Sequence, residues 1–259
     1  MGASATLTKS YKELKRHVST IKTETGFSMV TKRILCLANS RKHGDRCVAG
    51  REVLNDGSVG AWIRPVSGRQ DEGVTLWEQR YDSANGALPQ VLDVINVPLL
   101  GHRPNGCQSE NWVLDPDRWW TKDHEVNWAT IATYAENPDV LFVNAGRTFA
   151  GLNDEIPNAV AVGLPNSLVL IAVPTLCIRV YAGYNDARKM QARFQYNGVD
   201  YALGITDPVI EAEFFPQGLG EYETGRSLLC ISLSMPFTKT NGNGGEYRYK
   251  LVAAVIRQP

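Results

Sequence analysis

"ARFQYNGVDYALGITDP" (residues 192–208) places an Asn-Gly pair between two runs in which apolar and polar residues alternate. Asn and Gly tolerate the positive φ angles that a type I′ turn requires, and this turn matches the twist of two antiparallel strands. Alternation with a period of two is typical of a strand with one buried face. The stretch therefore predicts a β-hairpin whose turn is Asn197-Gly198.

Short β-type runs separated by Gly, Asn, Asp and Pro continue this pattern on both sides of the hairpin, from Val30 onward. Their spacing favours small barrels or sandwiches over alternating strands and helices. The sequence predicts a mainly β protein with two small β-barrels of about five strands each. We expect the first barrel at residues 29–111, a mixed helical connector at 112–164 and the second barrel at 165–259.

The first 28 residues differ from the rest. Apolar residues recur there at spacings of three and four over residues 7–21, with Lys and Glu between them, which predicts an amphipathic helix. The apolar positions are Leu7, Tyr11, Leu14, Val18 and Ile21. This N-terminal helical extension is expected to dock on the body of the protein, to mediate self-association or to bind a protein partner.

The overall composition excludes several classes of protein. Lys and Arg total 27 and Asp and Glu total 27, so no net field attracts nucleic acid or a membrane, although a local cationic groove remains compatible with neutrality. Uninterrupted apolar stretches are too short to span a bilayer. Five widely spaced cysteines without a CxxC pair indicate reduced thiols and a cytoplasmic protein.

"LCLANSRKHGDRCVAGREV" (residues 35–53) changes from a buried strand into a run of cations. Arg41, Lys42 and Arg51, with His43 and Arg46, could contact phosphate, because Arg offers a planar fork and Lys a point charge. A solvated loop with an Arg–carboxylate pair explains the same residues.

"GAWIRPVS" (residues 60–67) places Trp62 and Arg64 on one face of a strand, a combination suited to stacking a base. The alternative is that Trp62 belongs to the core and Arg64 lies at its rim.

In the second half, the basic residues Arg188, Lys189 and Arg193 lead into the hairpin that carries Phe194, Tyr196 and Tyr201. Basic and aromatic residues interleaved on a hairpin suit a single strand or a flipped base better than a duplex. A barrel core with exposed cations is the alternative.

Candidates for catalysis are few. Glu110, next to Asn111, and Asp207 could act as acid or base, although Asp207 before Pro208 is also a common turn initiator. The four histidines lack partners at metal-ligand spacing, and nucleotide-cofactor motifs are absent from the sequence. We therefore expect neither a metal nor a cofactor.

Six blocks in this order resemble the dual OB domain-containing proteins: "KRILCLANSRKHGDRCVAGREV", "GAWIRPVS", "LDVINVPL", "QSEN", "RFQYNGVDYALGITDP" and "YKLVAAVI". The resemblance covers roughly residues 30–258. It implies two tandem oligonucleotide/oligosaccharide-binding folds in a bacterial protein of nucleic-acid modification or anti-phage defence. It also implies a binding surface formed by Ser40, Arg41, Lys42, Gly50, Arg51, Trp62, Arg64, Pro65, Glu110, Asn111, Arg193, Tyr196, Tyr201, Thr206 and Asp207.

These observations lead to three hypotheses of different classes. The first is a recognition module for a single-stranded nucleic acid or a nucleotide, with Trp62 and Tyr196 stacking and with Arg41, Lys42, Arg51, Arg64 and Arg193 on phosphate. The second is an enzyme on such a substrate that uses Glu110 and Asp207. The third is a protein-interaction subunit of a larger defence complex.

Overall fold

The computed structural model describes residues 29–82, 86–183, 186–239 and 244–259. The helix predicted over residues 7–21 lies outside this part of the chain. Within it the protein is mainly β, and the strands form two sheets.

The first sheet closes into a five-stranded barrel. Its strands pair in the order β1-β2-β3-β5-β4, and β4 pairs again with β1. The pairing of β3 with β5 is parallel and the other pairings are antiparallel. Its strands are β1 (Val30–Lys42), β2 (Asp45–Val53), β3 (Val59–Val66), β4 (Asp93–His102), β5 (Asn111–Leu114) and β6 (Thr121–Glu125), of which β6 pairs with β4 outside the ring.

The second sheet follows the path β12-β9-β10-β11-β15-β13-β8, with β7 and β14 attached to β15. The pairing of β11 with β15 is parallel, and the other pairings along this described path are antiparallel. The strands are β7 (Glu155–Pro157), β8 (Leu168–Val173), β9 (Leu176–Ala182), β10 (Arg188–Tyr196), β11 (Val199–Ile205), β12 (Gly220–Thr224), β13 (Ser227–Leu233), β14 (Phe237–Thr238) and β15 (Glu246–Arg257).

Pro174 is the point at which the second sheet closes. β8 and β9 are separated by residues 174–175 alone, so they are two halves of one bent strand, because proline has no N–H for a ladder and ends the pairing. The first half pairs with β13 and the second half with β10. The second barrel therefore repeats the order of the first, with the bent strand in the place of β1.

Three short helices complete the described elements: α1 (Trp128–Ala132), α2 (Asn158–Ala161) and α3 (Pro208–Phe214), the last continued by a 3-10 turn at Phe215–Gln217. The first two lie between the barrels in sequence. α3 connects the third and fourth strand positions of the second barrel.

The predicted fold class of two tandem OB-like barrels is confirmed, because an OB-fold is a five-stranded Greek-key barrel. The predicted hairpin is also confirmed: Tyr196 pairs with Val199, and Asn197 and Gly198 both have positive φ. The first sheet runs on to Glu125, past residue 111, where we expected the first barrel to end.

Each barrel has its own core, and a third apolar cluster lies between the barrels. Along β1, Ile34 and Cys36 point into the first barrel, whereas Leu35 and Leu37 point outward into the third cluster. Along β8, Val169 and Ile171 belong to the core of the second barrel, and the alternate leucines belong to the third cluster. Both strands are apolar on both faces because both faces are buried.

The third cluster, which we call the barrel interface, joins different faces of the two barrels. The first barrel contributes the outer face of β1, β2, β3 and β4, and the second contributes β8, β13 and β15. Its buried members are Leu35, Leu37, Ala38, Ala49, Trp62, Val94, Trp128, Ile131, Leu168, Leu170, Leu228, Cys230, Ala253, Ala254 and Ile256. In the second barrel the outer face of β9, β10 and β11 stays outside this interface.

Candidate functional site

The cationic run of the first barrel is a β-hairpin and not a loop. Lys42 pairs with Asp45 across a two-residue turn in which His43 and Gly44 both have positive φ. At this end Arg41 reaches the second barrel: its backbone N–H donates to the carbonyl of Thr206 at 2.8 Å, and its guanidinium donates to Glu211 of α3. The hairpin therefore connects the two barrels.

The neighbours of Arg41 are partly withdrawn from solvent. Ser40 is buried, and its hydroxyl donates to the carbonyl of Cys47 at 3.4 Å. Lys42 is half-buried, and burial lowers the pKa of its amine. Neither side chain is presented as an open phosphate contact.

Trp62 lies in the barrel interface and is 6% exposed. Its indole N–H donates to Glu136 Oε1 at 3.1 Å. Arg51 lies over the indole, with its guanidinium 5.6 Å from the ring centroid and 3.6 Å from the same carboxylate oxygen. The ring faces are thus covered by protein groups, and the predicted stacking of a base on Trp62 receives no support from this geometry.

Arg64 is also buried at the junction of the barrels, with 2% of its surface exposed. Its guanidinium lies 2.8 Å from Glu110 Oε1 and donates to the hydroxyl of Ser167 at 2.8 Å and to Asn111 Oδ1 at 3.4 Å. Glu110 in turn accepts from the backbone N–H and the hydroxyl of Ser167, just before β8. These contacts give Arg64, Glu110 and Asn111 a structural role between the barrels.

Asp207 is the N-cap of α3. One carboxylate oxygen accepts from the N–H groups of Val209 and Ile210, and the other accepts from Val255 on β15. Burial raises the pKa of this carboxyl group. The capping geometry agrees with the turn-initiator alternative, and the carboxylates of Glu110 and Asp207 belong to separate networks.

In the second barrel the predicted hairpin residues divide between the two faces of the sheet. Tyr196 and Tyr201 point into the core; the Tyr196 hydroxyl donates to Asn137, and the Tyr201 hydroxyl accepts from the N–H of Leu141. Arg193 points outward. Among the three, Arg193 is the side chain that faces solvent.

Arg193 lines a cleft of about 1490 Å³, which we call the second-barrel cleft. Its floor is the outer face of β9, β10 and β11, and its walls are loop 147–154 and residues 249–251 of β15. In the second barrel β9 is part of the first strand, β10 is the second strand and β11 is the third. The OB-fold typically binds ligands over its second and third strands, which here are β10 and β11.

Strand register arranges the floor in rows. Lys189 lies opposite Tyr181, Gln191 lies between Arg179 and Gly204, and Arg193 lies opposite Ala202. The long side chains stand on β9 and β10, whereas β11 contributes Ala202 and Gly204. The small residues leave the space that makes the surface concave.

Loop 147–154 holds an aromatic side chain over this floor. Asp154 accepts from the N–H and the hydroxyl of Thr148 at 2.7 and 2.6 Å. A Cβ on Gly151 would lie 1.8 Å from an Asp154 carboxylate oxygen, so any larger residue there would displace the carboxylate that holds Thr148. The tight loop leaves Phe149 fully exposed at its tip. Tyr249, stacked on Phe237 at 3.9 Å, adds a second aromatic ring to the wall.

The cleft carries more positive than negative charge. Arg147, Arg179, Lys189 and Arg193 line it as surface cations, against the carboxylates of Asp154 and Asp200. Glu221 on β12 accepts from Arg193 at 2.8 Å and lies 3.7 Å from Arg179, so two guanidinium groups share one carboxylate. The cleft therefore retains an excess of cations in a chain without net charge.

Sequence reasoning named Lys189 and Arg193 but missed Arg147, Phe149, Arg179 and Tyr181. The alternation in "LCIRVYA" (residues 176–182) was the available signal for Arg179 and Tyr181, because both fall on the face opposite the apolar residues. No local signal marks residues 147–149, which tertiary structure brings over β11.

Among the described residues no cluster of three or more His, Cys, Asp or Glu side chains is arranged to hold a metal ion. No helix in the same ranges is long and apolar enough to cross a bilayer.

Two OB barrels with one open strand face define an OB-type binding module. The chain belongs to the family of the dual OB-containing domain, whose model matches residues 32–255. No curated protein matches the chain.

Removal of Arg64 tests its structural role. Arg64→Met leaves the Glu110 carboxylate buried without its cation, and we expect the free energy of unfolding in urea to fall by about 3–5 kcal/mol. The double variant Arg64→Met/Glu110→Leu, which removes both charges, should be more stable than Arg64→Met. Unchanged stability of Arg64→Met would contradict this role.

Lys250, buried on β15 beside the cleft, gives the protein a pH dependence. Its amine donates to Asn144 Oδ1 at 2.8 Å, and burial lowers its pKa from 10.5 to about 7. Between these values the unfolded chain binds a proton that the folded chain does not, so stability rises with pH by up to ~1.4 kcal/mol per pH unit. Below about pH 7 both states bind the proton, so this pH dependence disappears and the full cost of burying the charged amine remains.

We expect Lys250→Met to remove that slope, measured as the difference between wild-type and variant unfolding free energies in urea at pH 7, 8 and 9. Subtraction cancels the other titrating groups. Parallel curves for the two proteins would rule out a neutral Lys250 in the folded state.

Proposed function

We propose that the protein binds single-stranded nucleic acid in the second-barrel cleft. The observation that carries the proposal is the coincidence of four surface cations and an exposed aromatic ring on the strand face that the barrel interface leaves open. This is the face with which OB-folds bind oligonucleotides.

The cations suit the phosphate groups of the strand. Arg193 and Lys189 stand two positions on either side of Gln191 on one strand face, and Arg179 stands beside them on β9. A phosphate that approaches Arg193 or Arg179 competes with Glu221 for the guanidinium groups. A bound phosphate takes the place of the Glu221 carboxylate as the hydrogen-bond acceptor. The guanidinium groups therefore stay paired when the ligand covers them.

The aromatic side chains favour a single strand over a duplex. Phe149 is fully exposed at the tip of its loop, and Tyr181 and Tyr249 line the cleft, each with one ring face already covered, by Arg179 and by Phe237 respectively. Bases stack on such rings when their faces are accessible, which pairing within a duplex prevents.

The resemblance to the family implies a bacterial protein of nucleic-acid modification or defence. We propose that the protein binds its ligand in that setting and acts in the cytoplasm.

Fluorescence anisotropy with labelled single-stranded DNA, single-stranded RNA and duplex at two salt concentrations tests the phosphate contacts. We expect Lys189→Ala/Arg193→Ala to weaken single-strand binding and to reduce the slope of log affinity against log salt by about 1.4, because each lost phosphate contact contributes about 0.7. Affinity for the duplex should be lower than for either single strand.

Two further variants control for charge. Arg33→Ala/Arg257→Ala also removes two cations, each paired with an exposed carboxylate outside the cleft, and should leave the slope unchanged. Glu221→Gln should strengthen binding, because it releases Arg179 and Arg193 from their shared partner. An equal loss in both double variants, or binding that does not respond to salt, would show that the cleft is not the phosphate-binding surface.

Phe149→Ala tests stacking separately. We expect it to weaken single-strand binding by about 1–3 kcal/mol, the range for one base stacked on one aromatic ring, with no change in the salt slope. Because the side chain is fully exposed, the midpoint of urea unfolding should stay within error. Phe149→Tyr, which preserves the ring, should retain wild-type affinity, and its failure to do so would contradict a stacking role.

A further inference from the structure

β12 (Gly220–Thr224) is an edge strand of the second sheet. It pairs with β9 on one side, and no strand among the described residues pairs with its other side. The N–H and C=O groups of alternate residues point to opposite sides of a strand, so β12 directs part of its backbone groups away from β9. Such an edge can accept a further strand.

The edge is open because β15 does not extend along it. β13, which follows β12 in sequence, pairs with β15 as far as Ser227 and Arg257. The N–H of Gln258 then donates to the carbonyl of Arg226 at 2.9 Å, and Pro259 has no N–H with which to continue. A strand added to β12 would therefore stand beside β12 as β15 stands beside β13.

A groove of about 1040 Å³ runs along this edge, and the consecutive residues 221–224 all line it. α3 forms another wall, where Val209 is 61% exposed. Tyr222 points towards the core, with its ring centroid 5.4 Å from that of Phe214 on α3. Proteins add a peptide strand at such an edge through backbone hydrogen bonds, and pockets for alternate side chains provide specificity.

The charges of the groove favour a cationic ligand. Glu213 is paired with Arg257, and Glu221 is paired with Arg193. Glu223 lies opposite Cys177 on β9, and no Lys or Arg side chain among the described residues lies within 4 Å of its carboxylate. The groove is lined by four carboxylates and one guanidinium group: Asp207, Glu213, Glu221 and Glu223, with Arg257.

The same carboxylates disfavour a second copy of the chain as the added strand. Antiparallel pairing of two copies about Tyr222 would set Glu221 against Glu223 on one face of the sheet. Like charges directly opposite each other destabilise a strand pair, and charged side chains protect natural edges in this way. A strand with Lys or Arg opposite Glu223 would form an attractive pair instead.

We propose that the groove beside β12 binds an extended basic segment of a protein partner as an added strand. A Lys or Arg of that segment pairs with Glu223, and an apolar neighbour opposite Tyr222 faces α3 and Val209. Hydrogen bonds to the open backbone groups of β12 align the segment. This surface lies outside the second-barrel cleft, and the proposal does not depend on nucleic-acid binding.

Anisotropy with labelled peptides tests the charge preference. The probe is a peptide of about seven residues in which Lys and Val alternate, and its counterpart has Glu in place of each Lys. We expect the Lys peptide to bind about tenfold more tightly, because each cross-strand charge pair favours one peptide and opposes the other. Binding of the Lys peptide should also slow amide hydrogen exchange at alternate residues of β12.

Two N-methylated copies of the Lys peptide distinguish strand addition from simple charge attraction. One copy carries methyl groups on the backbone nitrogens of its Lys residues, and the other carries them on those of its Val residues. Only one of these sets of N–H groups can face β12, because alternate residues point to opposite edges. We expect one copy to lose binding and the other to retain it.

Glu223→Lys tests the residue that the proposal pairs with the ligand. We expect it to lower the ratio of Lys-peptide to Glu-peptide affinity at least about threefold. Glu125→Lys is the matched control, because Glu125 is exposed on β6, the sixth strand of the first sheet, and should keep the wild-type ratio. Both positions are exposed, so the midpoint of urea unfolding should stay near that of the wild type.

Equal affinity for the Lys and Glu peptides, or two N-methylated copies that behave alike, would overturn this inference. An unchanged affinity ratio in Glu223→Lys, or no saturable binding of the Lys peptide at millimolar concentration, would overturn it as well. A dimer of the free protein in light scattering, with β12 amides that are protected only at high protein concentration, would identify a second copy as the occupant and contradict the basic partner.

Discussion

The apolar contact between the two barrels is the interaction on which the rest of the structure depends. Leu35 and Leu37 from β1 belong to the same buried apolar cluster as Leu168 and Leu170 from β8. At its edge Arg64 and Glu110, which form an ion pair within the first barrel, both hydrogen-bond to Ser167 just before β8. Burial of apolar surface supplies the free energy, whereas the ion pair requires a defined geometry to offset its desolvation. Together they fix one arrangement of the barrels.

This arrangement leaves two similar barrels with unequal surfaces. The first barrel is covered on the outer face of its first three strands, the face with which an OB-fold usually binds ligands. The second barrel packs through β8, β13 and β15 and leaves the corresponding face of β9, β10 and β11 open. Among the described residues, the fold used twice therefore leaves this strand face open in the second barrel and covered in the first.

The barrels and the hairpin at Asn197-Gly198 could be predicted because turn chemistry and alternation are local properties of the sequence. The position of Trp62 and Arg64 could not, because alternation shows that a residue points out of a barrel but not whether a second barrel covers it. Arg193 has the same local signature as Arg64 and faces solvent. The difference lies in the packing of the barrels. Phe149 was missed for the complementary reason, since it reaches the cleft through tertiary structure alone.

The charges of this neutral chain are not paired equally in the two barrels. In the first barrel Arg33, Arg41, Arg51 and Arg64 each have a carboxylate within 4 Å. In the cleft, Arg179 and Arg193 divide one carboxylate between them. The excess is local, so its field extends over about one Debye length, ~8 Å at physiological ionic strength, and long-range steering of a polyanion is weak. The binding proposed for this cleft therefore depends on direct contacts with side chains such as Arg179, Lys189 and Arg193.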